Sequence, residues 1–232
     1  MSSLKTATSG RPVKYVATVE GVRDVTLVGA ADYAYWVDRL AGEDLVPLNV
    51  SGRAETWICA AKLKWMGVAF AELTVSIRVG DEGKDAFLVA AFNTSRVFSW
   101  FERTCFHTPY RHAQIDVDSQ SLQSFALYDG KDVSIRAERA SDAVSDHNDD
   151  EWQGRIYLPS NGNARKKRRF FLARLSGKTD ISPFVSSSDR LALHASPNHY
   201  VAQHLIDSHF RGIEWRVRAS ATHARSKTFA DK

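Results

Sequence analysis

Glu72 is the first residue whose type and position point to chemistry. It lies in an alternating segment, 68–79, on the same side as Val68 and Phe70, and therefore not on a uniformly polar face. A carboxyl group on such a face is a candidate general acid or base. A polar position on a solvent-facing strand is the alternative interpretation.

A second group of reactive side chains follows Pro109. In an extended segment Tyr110 and His112 share one side, whereas Arg111 lies on the other. If Tyr110 faces a cavity, its hydroxyl can donate a hydrogen bond to a developing enolate, and His112 can transfer a proton beside it. Together with the family resemblance given below, these positions make Glu72, Tyr110 and His112 the candidate catalytic residues.

Two arginines are candidates for binding a substrate carboxylate. Arg23 and Arg111 each carry a planar guanidinium, which can hold a carboxylate through two parallel hydrogen bonds. For Arg23 the alternative is a simple ion pair with Asp24 or Glu20.

Two lysines and one aromatic residue complete the candidate substrate-binding set. Lys62 and Lys64 share one face of the alternating segment 56–65, and burial would lower the pKa of either amine enough for imine chemistry. Solvent-exposed strand lysines are the alternative. Phe70, two residues before Glu72, would supply an apolar wall.

Hydrophobic periodicity predicts many strands and three short helices. The predicted strands are 13–20, 24–28, 56–65, 68–79, 86–92, 113–117, 125–128, 133–137, 155–158, 169–175 and 214–219. The predicted helices are 33–40, 95–105 and 198–208, and the buried stripe of the second is predicted to be Val97, Trp100, Phe101 and Cys105. Strands joined by hairpins predict an α+β protein with an antiparallel sheet large enough to close on itself.

The order of elements from Phe70 to Val117 resembles the acetoacetate decarboxylase-like superfamily. Glu72 on a strand, a hairpin, the apolar strand 86–92, a helix from Ser95 and the segment Thr108-Pro-Tyr-Arg-His112 carry the resemblance. It implies a cone- or barrel-like sheet around an apolar pocket, often in a homo-oligomer, and it implies that Arg23 holds the substrate carboxylate.

One departure from that family decides the expected chemistry. The family has a Pro-Lys-Lys segment whose first lysine forms a Schiff base with a β-keto acid, but this chain has Pro109-Tyr110-Arg111. Arginine stays protonated because its pKa exceeds about 12, so it offers no free amine. We therefore expect a lyase or isomerase that uses acid/base chemistry for decarboxylation, dehydration, isomerisation or lactone opening. A non-catalytic ligand-binding module is the alternative.

The charge distribution raises a further alternative. Residues 1–152 carry 16 basic and 22 acidic side chains, whereas residues 153–232 carry 15 and 5. The basic run 165–169 precedes Phe170 and Phe171, which is a weak nucleic-acid signal. Because these aromatic residues begin an apolar strand, a solvated loop is the favoured interpretation.

The remaining expectations concern organisation. The sequence has no nucleotide-binding motif and no metal-ligand spacing, so we expect no cofactor. It has no apolar run long enough for a membrane span, and we expect a cytoplasmic protein. We predict a flexible arm at 1–12, a single domain at 13–220 and a loose tail at 221–232.

Overall fold

The computed structural model describes residues 13–118, 120–141, 143–149, 151–160 and 167–231; the predicted arm 1–12 lies outside these ranges. The strands are β1 (Tyr15–Asp32), β2 (Asn49–Val50), β3 (Arg53–Trp65), β4 (Val68–Val79), β5 (Asp85–Asn93), β6 (Tyr110–His112), β7 (Gln114–Val117), β8 (Ser124–Asp129), β9 (Asp132–Glu138), β10 (Asp146–Asn148), β11 (Trp152–Leu158), β12 (Arg169–Ser176), β13 (Thr179–Pro183), β14 (Arg190–Leu193), β15 (Arg211–Ser226) and β16 (Phe229–Ala230). The helices are α1 (Tyr33–Leu40), α2 (Arg96–Cys105) and α3 (Tyr200–Asp207), with a 3-10 turn at Ala41–Glu43.

Seven of the described strands close into a barrel. Their order is β15, β1, β3, β4, β5, β11 and β12, and β12 pairs back to β15. Strand directions can alternate all the way round a ring only when the number of strands is even, so a ring of seven requires a parallel pair. That pair is β5 with β11, where Ile156 lies opposite Ala86. The α+β class and the barrel-like sheet are confirmed, but the sheet is mixed and not wholly antiparallel.

The largest apolar core lies outside the barrel. A second sheet, in the order β14, β9, β8, β7, packs with α1 and α3 against the outer face of the barrel. Leu27 on β1, Trp36 on α1, Phe125 on β8 and Leu205 on α3 are buried together there. Because this core stabilises the fold from outside, the barrel interior can remain partly empty.

A bulge in β1 determines which of its side chains face the barrel interior. The sequence predicts two strands separated by Gly21, but one strand of 18 residues passes through it. Gly21 has a left-handed φ of 66°, and the pairing with β15 shifts between Val19 and Val22. The extra residue reverses the alternation, so Asp24 faces inwards and Arg23 outwards.

The last barrel strand is longer than predicted. β15 runs from Arg211 to Ser226, and β16 then pairs with β12, so a loose tail from residue 221 is wrong for this part of the chain. The polar composition was misleading because His223 and Arg225 alternate with small residues and face the barrel interior. A strand between β1 and β12 can carry such residues inwards.

Helix α2 is rotated relative to the prediction. Val97 and Trp100, assigned to its buried stripe, are 71% and 58% exposed, and Cys105 is exposed as well. The face that turns inwards instead carries Phe98, whose ring lies 4.7 Å from that of Phe70. This orientation directs Glu102 towards the barrel interior.

None of the helices in the described ranges combines the length and the apolarity that crossing a membrane requires.

Candidate active site

The barrel interior contains a cavity of about 240 Å³ with mostly apolar walls. Trp57 and Trp152 pack against each other on its lining, with ring centroids 6.2 Å apart. The polar residues that line it are Cys59, Glu72, Thr74, Ser76, Glu102, Tyr110, Arg174, His223 and Arg225. A mostly apolar cavity with a few convergent polar groups is typical of a small-molecule site.

Glu72 is the carboxylate at the centre of this set. Its strand position lies directly opposite Ala61 on β3 and Asn93 on β5. Its Oε1 accepts a hydrogen bond of 2.9 Å from Asn93 Nδ2, and its Oε2 accepts one of 3.2 Å from the Tyr110 hydroxyl. Burial, followed by the nearby charge of Glu102, raises the pKa of Glu72 to about 7. Near neutral pH this group can therefore hold or release a proton.

Tyr110 supplies a hydrogen-bond donor beside Glu72. The short strand β6 runs parallel to β5 and places Tyr110 opposite Ala91. Burial, with the negative charge of Glu72, raises the pKa of the Tyr110 hydroxyl well above 10. The phenol consequently stays protonated at neutral pH and can donate to an oxygen atom.

Arg225 is the cation of this part of the cavity. Its Nη1 lies 2.5 Å from Glu102 Oε2, which also accepts a hydrogen bond of 2.9 Å from Thr108 Oγ1. The guanidinium lies 4.5 Å from the ring centre of Phe106 and 4.3 Å from that of Phe171. Its Nε and Nη2 are buried and have no hydrogen-bond partner in the described ranges. These two nitrogens form the edge of the guanidinium that binds a carboxylate bidentately.

A second carboxylate, Asp24, lies beneath the cavity. It is fully buried, and Ala61 separates its strand position from that of Glu72. Asp24 Oδ1 accepts a hydrogen bond of 3.0 Å from Arg218 Nη1, and Oδ2 lies 3.1 Å from His223 Nε2. Both of these partners come from β15.

The candidate residues predicted from sequence separate into two groups. Phe70, Glu72 and Tyr110 line the cavity. Arg23, Lys62, Lys64, Arg111 and His112 are not part of that lining, which contains no lysine within the described ranges.

The pleat of the sheet explains where Arg23, Lys62 and Lys64 lie. Arg23 pairs directly with Lys62, and Ala61, the neighbour of Lys62, lines the cavity. Successive side chains point to opposite faces, so Lys62 and Lys64 lie on the outer face. Arg23 Nη2 donates a hydrogen bond of 3.0 Å to the carbonyl oxygen of Gln120 outside the barrel.

The ends of strands β5 and β6 explain where Arg111 and His112 lie. His112 shares a side with Tyr110, but it is the last residue of β6, paired with the last residue of β5, and it is exposed. Arg111 is exposed too, and it donates a hydrogen bond of 3.2 Å to the Asn198 carbonyl oxygen and lies over the Tyr200 ring.

Cys59 lines the cavity without offering a nucleophile. Burial raises the pKa of its thiol to about 12, so the thiolate is scarce at neutral pH.

The basic run 165–169 is described only from residue 167 onwards. Arg168 pairs with Asp231 at 3.1 Å and with Asp44 at 3.4 Å, and Arg169 donates to the Pro159 carbonyl oxygen. These two cations have partners within the protein, which favours the structural interpretation of the run over a nucleic-acid surface.

Sequence reasoning missed Asn93, Glu102, His223 and Arg225. Asn93 lies just before α2, where its Oδ1 accepts a hydrogen bond from the Ser95 N–H, and its Nδ2 donates to Glu72. The period-two spacing of His223 and Arg225 is a strand signal that their basic composition concealed.

Comparison with known proteins identifies the fold. No family model and no curated protein matches the sequence. An acetoacetate decarboxylase from Legionella pneumophila matches with a TM-score of 0.64 at 10% identity, over 98% of this chain and 94% of that one. The enduracididine biosynthesis enzyme MppR complexed with pyruvate matches with 0.63 at 12%, over 98% and 96%. An acetoacetate decarboxylase-like enzyme from Sphingomonas wittichii RW1 matches with 0.57 at 12%, over 100% and 99%. The chain therefore has the acetoacetate decarboxylase-like fold, as the resemblance implies.

Proposed function

We propose that this protein is an enzyme that acts on a small carboxylate bearing a carbonyl group, by acid/base chemistry without a Schiff base. The observation that carries the proposal is Glu72, a cavity carboxyl with a pKa of about 7 whose two hydrogen-bond partners are neutral donors. General acid/base groups are most effective when their pKa lies near the working pH.

The neighbouring groups suit the same class of substrate. Arg225 would hold the carboxylate on its Nε and Nη2 edge while its Nη1 stays on Glu102. Both nitrogens are shielded from solvent, and the rings of Phe106 and Phe171 lie against the guanidinium. Tyr110 would donate a hydrogen bond to the oxygen atom on which negative charge develops.

None of the described residues that line the cavity is a lysine, so nothing there supports imine chemistry. Lys62 and Lys64 lie on the outer face of β3. The sequence resemblance matches Tyr110 to the position of the family's Schiff-base lysine. Decarboxylation, dehydration, isomerisation and lactone opening all remain compatible, because each needs a proton-transfer group and a stabilised oxyanion.

The substrate class is limited by size and by analogy. A volume of about 240 Å³ suits a small metabolite and is below the range typical of drug-sized ligands. Because the similar MppR structure contains pyruvate, pyruvate is a suitable first probe.

The test is exchange of the pyruvate methyl protons with solvent in D2O, followed by proton NMR. We expect exchange faster than in buffer alone, lost in Glu72→Gln and retained in Glu138→Gln, a matched change in the second sheet. Borohydride added with pyruvate should leave the protein mass unchanged. A trapped adduct, or exchange at the wild-type rate in Glu72→Gln, would overturn the proposal.

A non-catalytic ligand-binding module is the alternative, favoured by the lack of a lysine in the described cavity lining. Saturable binding of pyruvate by calorimetry without any proton exchange would support it. A homo-oligomer and a cytoplasmic location stay predictions.

A further inference from the structure

His223 faces the cavity from a strand that contributes nothing to the predicted site. It pairs with Val19 on β1 and with Leu175 on β12, and all three residues line the cavity. The β1 bulge at Gly21 directs Asp24 to the same interior. His223 and Asp24 therefore meet inside the barrel although 199 positions separate them.

The hydrogen bonds of Asp24 determine which nitrogen of His223 carries the proton. Asp24 Oδ1 accepts a hydrogen bond from Arg218 Nη1 in an ion pair of 3.0 Å. A carboxylate oxygen has no proton to donate, so in this arrangement Oδ2 accepts from His223 Nε2. The N–H of neutral His223 is then on Nε2, and Nδ1 holds the lone pair. Nδ1 makes no hydrogen bond in the described part of the chain.

We propose that His223, oriented by Asp24, is a second proton-transfer group of the cavity and divides the acid/base work with Glu72. Nδ1 takes a proton from the carbon next to the substrate carbonyl, and the C–H electron pair becomes the carbon–carbon double bond of an enolate. The negative charge moves to the carbonyl oxygen, where Tyr110 donates a hydrogen bond and protonated Glu72 can deliver its proton. This assignment rests on the proposed function.

Asp24 acts as a positioning residue in this scheme. It fixes the orientation of the imidazole and stabilises the imidazolium that forms, the role that a buried carboxylate has beside a catalytic histidine. The other charged groups around the cavity are Glu72 on β4, Glu102 on α2, Arg174 on β12, and Arg218 and Arg225 on β15 itself.

The first test does not depend on turnover. Nitrogen-15 NMR of histidine-labelled protein, with His223 assigned by the His223→Gln variant, reports the tautomer directly. We expect the neutral ring to carry its proton on Nε2. A proton on Nδ1 would overturn the proposal whatever the enzyme does to pyruvate.

The second test uses the pyruvate exchange reaction. We expect His223→Gln to slow exchange by about 100-fold or more, the range for loss of a general base. Added imidazole should restore part of the rate in His223→Ala but none in Glu72→Gln. The matched control is His147→Gln, which removes an exposed histidine paired with Asp180 at 2.7 Å outside the cavity.

The outcomes separate the two proposals. Exchange by the wild type that is unchanged in His223→Gln overturns the role of His223 and leaves the proposed function standing. A wild type that does not catalyse exchange overturns the proposed function, and the role of His223 falls with it. A His223→Gln defect without imidazole rescue of His223→Ala, or an equal defect in His147→Gln, indicates a structural effect and overturns the role of His223.

Discussion

Glu72 and Asp24, two carboxylates that face the barrel interior, differ in the partners that the two walls provide. On the wall of β4, β5 and β6, Glu72 receives hydrogen bonds from the neutral groups of Asn93 and Tyr110. On the opposite wall, β15 supplies Asp24 with Arg218 and His223. The ion pair with Arg218 and the contact with His223 fix the orientation of Asp24. Glu72 has only neutral donors as hydrogen-bond partners, and its pKa of about 7 lets it gain or lose a proton near neutral pH. The same functional group thus serves to orient on one wall and to titrate on the other.

Among the variants that test this difference between the two walls, Asp24→Ala is expected to have the largest effect. It leaves Arg218, 8% exposed, without its carboxylate partner in a buried position. Removing one member of a buried ion pair typically costs about 3–5 kcal/mol of stability. Urea unfolding measures this loss, and Glu138→Ala serves as the surface control. A loss as small as in the control would show that Asp24 does not hold Arg218 in place.

Tyr110→Phe changes only the wall formed by β4, β5 and β6, where Glu72 has neutral hydrogen-bond partners. Losing one hydrogen-bond donor to a developing oxyanion should slow pyruvate exchange by about 100-fold, with the fold intact. Proton NMR gives the rate, and circular dichroism checks the fold. A wild-type exchange rate would exclude the hydroxyl from the reaction.

The pH dependence of stability tests whether Glu72 titrates near neutral pH in the folded protein. The pKa of Glu72 is raised from 4.5 in the unfolded chain to about 7 in the fold, so the folded state binds more protons between these values. Between pH 4.5 and pH 7 this group therefore lowers stability by on the order of 3 kcal/mol, and its contribution is level above pH 7. Glu72→Gln should remove that fall, as urea titrations at several pH values would show. Parallel curves for the two proteins would contradict the assignment.

Gly21→Ala is expected to have the smallest effect. A side chain at this left-handed position costs about 1 kcal/mol, and no atom lies within 4 Å of the site of the new Cβ. Thermal unfolding should show a modest drop, with Gly42→Ala, a glycine without positive φ, as the control. An unchanged melting temperature would mean that the β1 bulge tolerates alanine.

The sequence was informative where the site is built locally. Glu72 and Tyr110 belong to one continuous run of strand, hairpin, strand and helix, and alternation places Glu72 with Phe70 on a single face. The α1 helix was predictable for the same reason, since Asp32 accepts a hydrogen bond from the Tyr35 N–H at its start.

The other wall was not predictable from local pattern. Asp24 meets His223 only because the barrel closes, and the inward orientation of Asp24 depends on a bulge that shifts the alternation of β1 by one residue. Arg23 was favoured because the resemblance placed an arginine there, but the bulge at Gly21 turns it outwards. A glycine within a β-branched run was the one local sign of this bulge.

The pairing of β1 with β15 also has a consequence for how the protein folds. Tyr15 lies opposite Ser226, so the ring is sealed by residues that are made more than 200 positions apart on the ribosome. The half of the cavity that carries His223 and Arg225 cannot exist while β15 is still being synthesised. Contacts so distant in sequence form slowly because a long loop must close first. The nascent chain thus exposes the unpaired edge of β1 until late in translation, and this interval is when it is most open to aggregation.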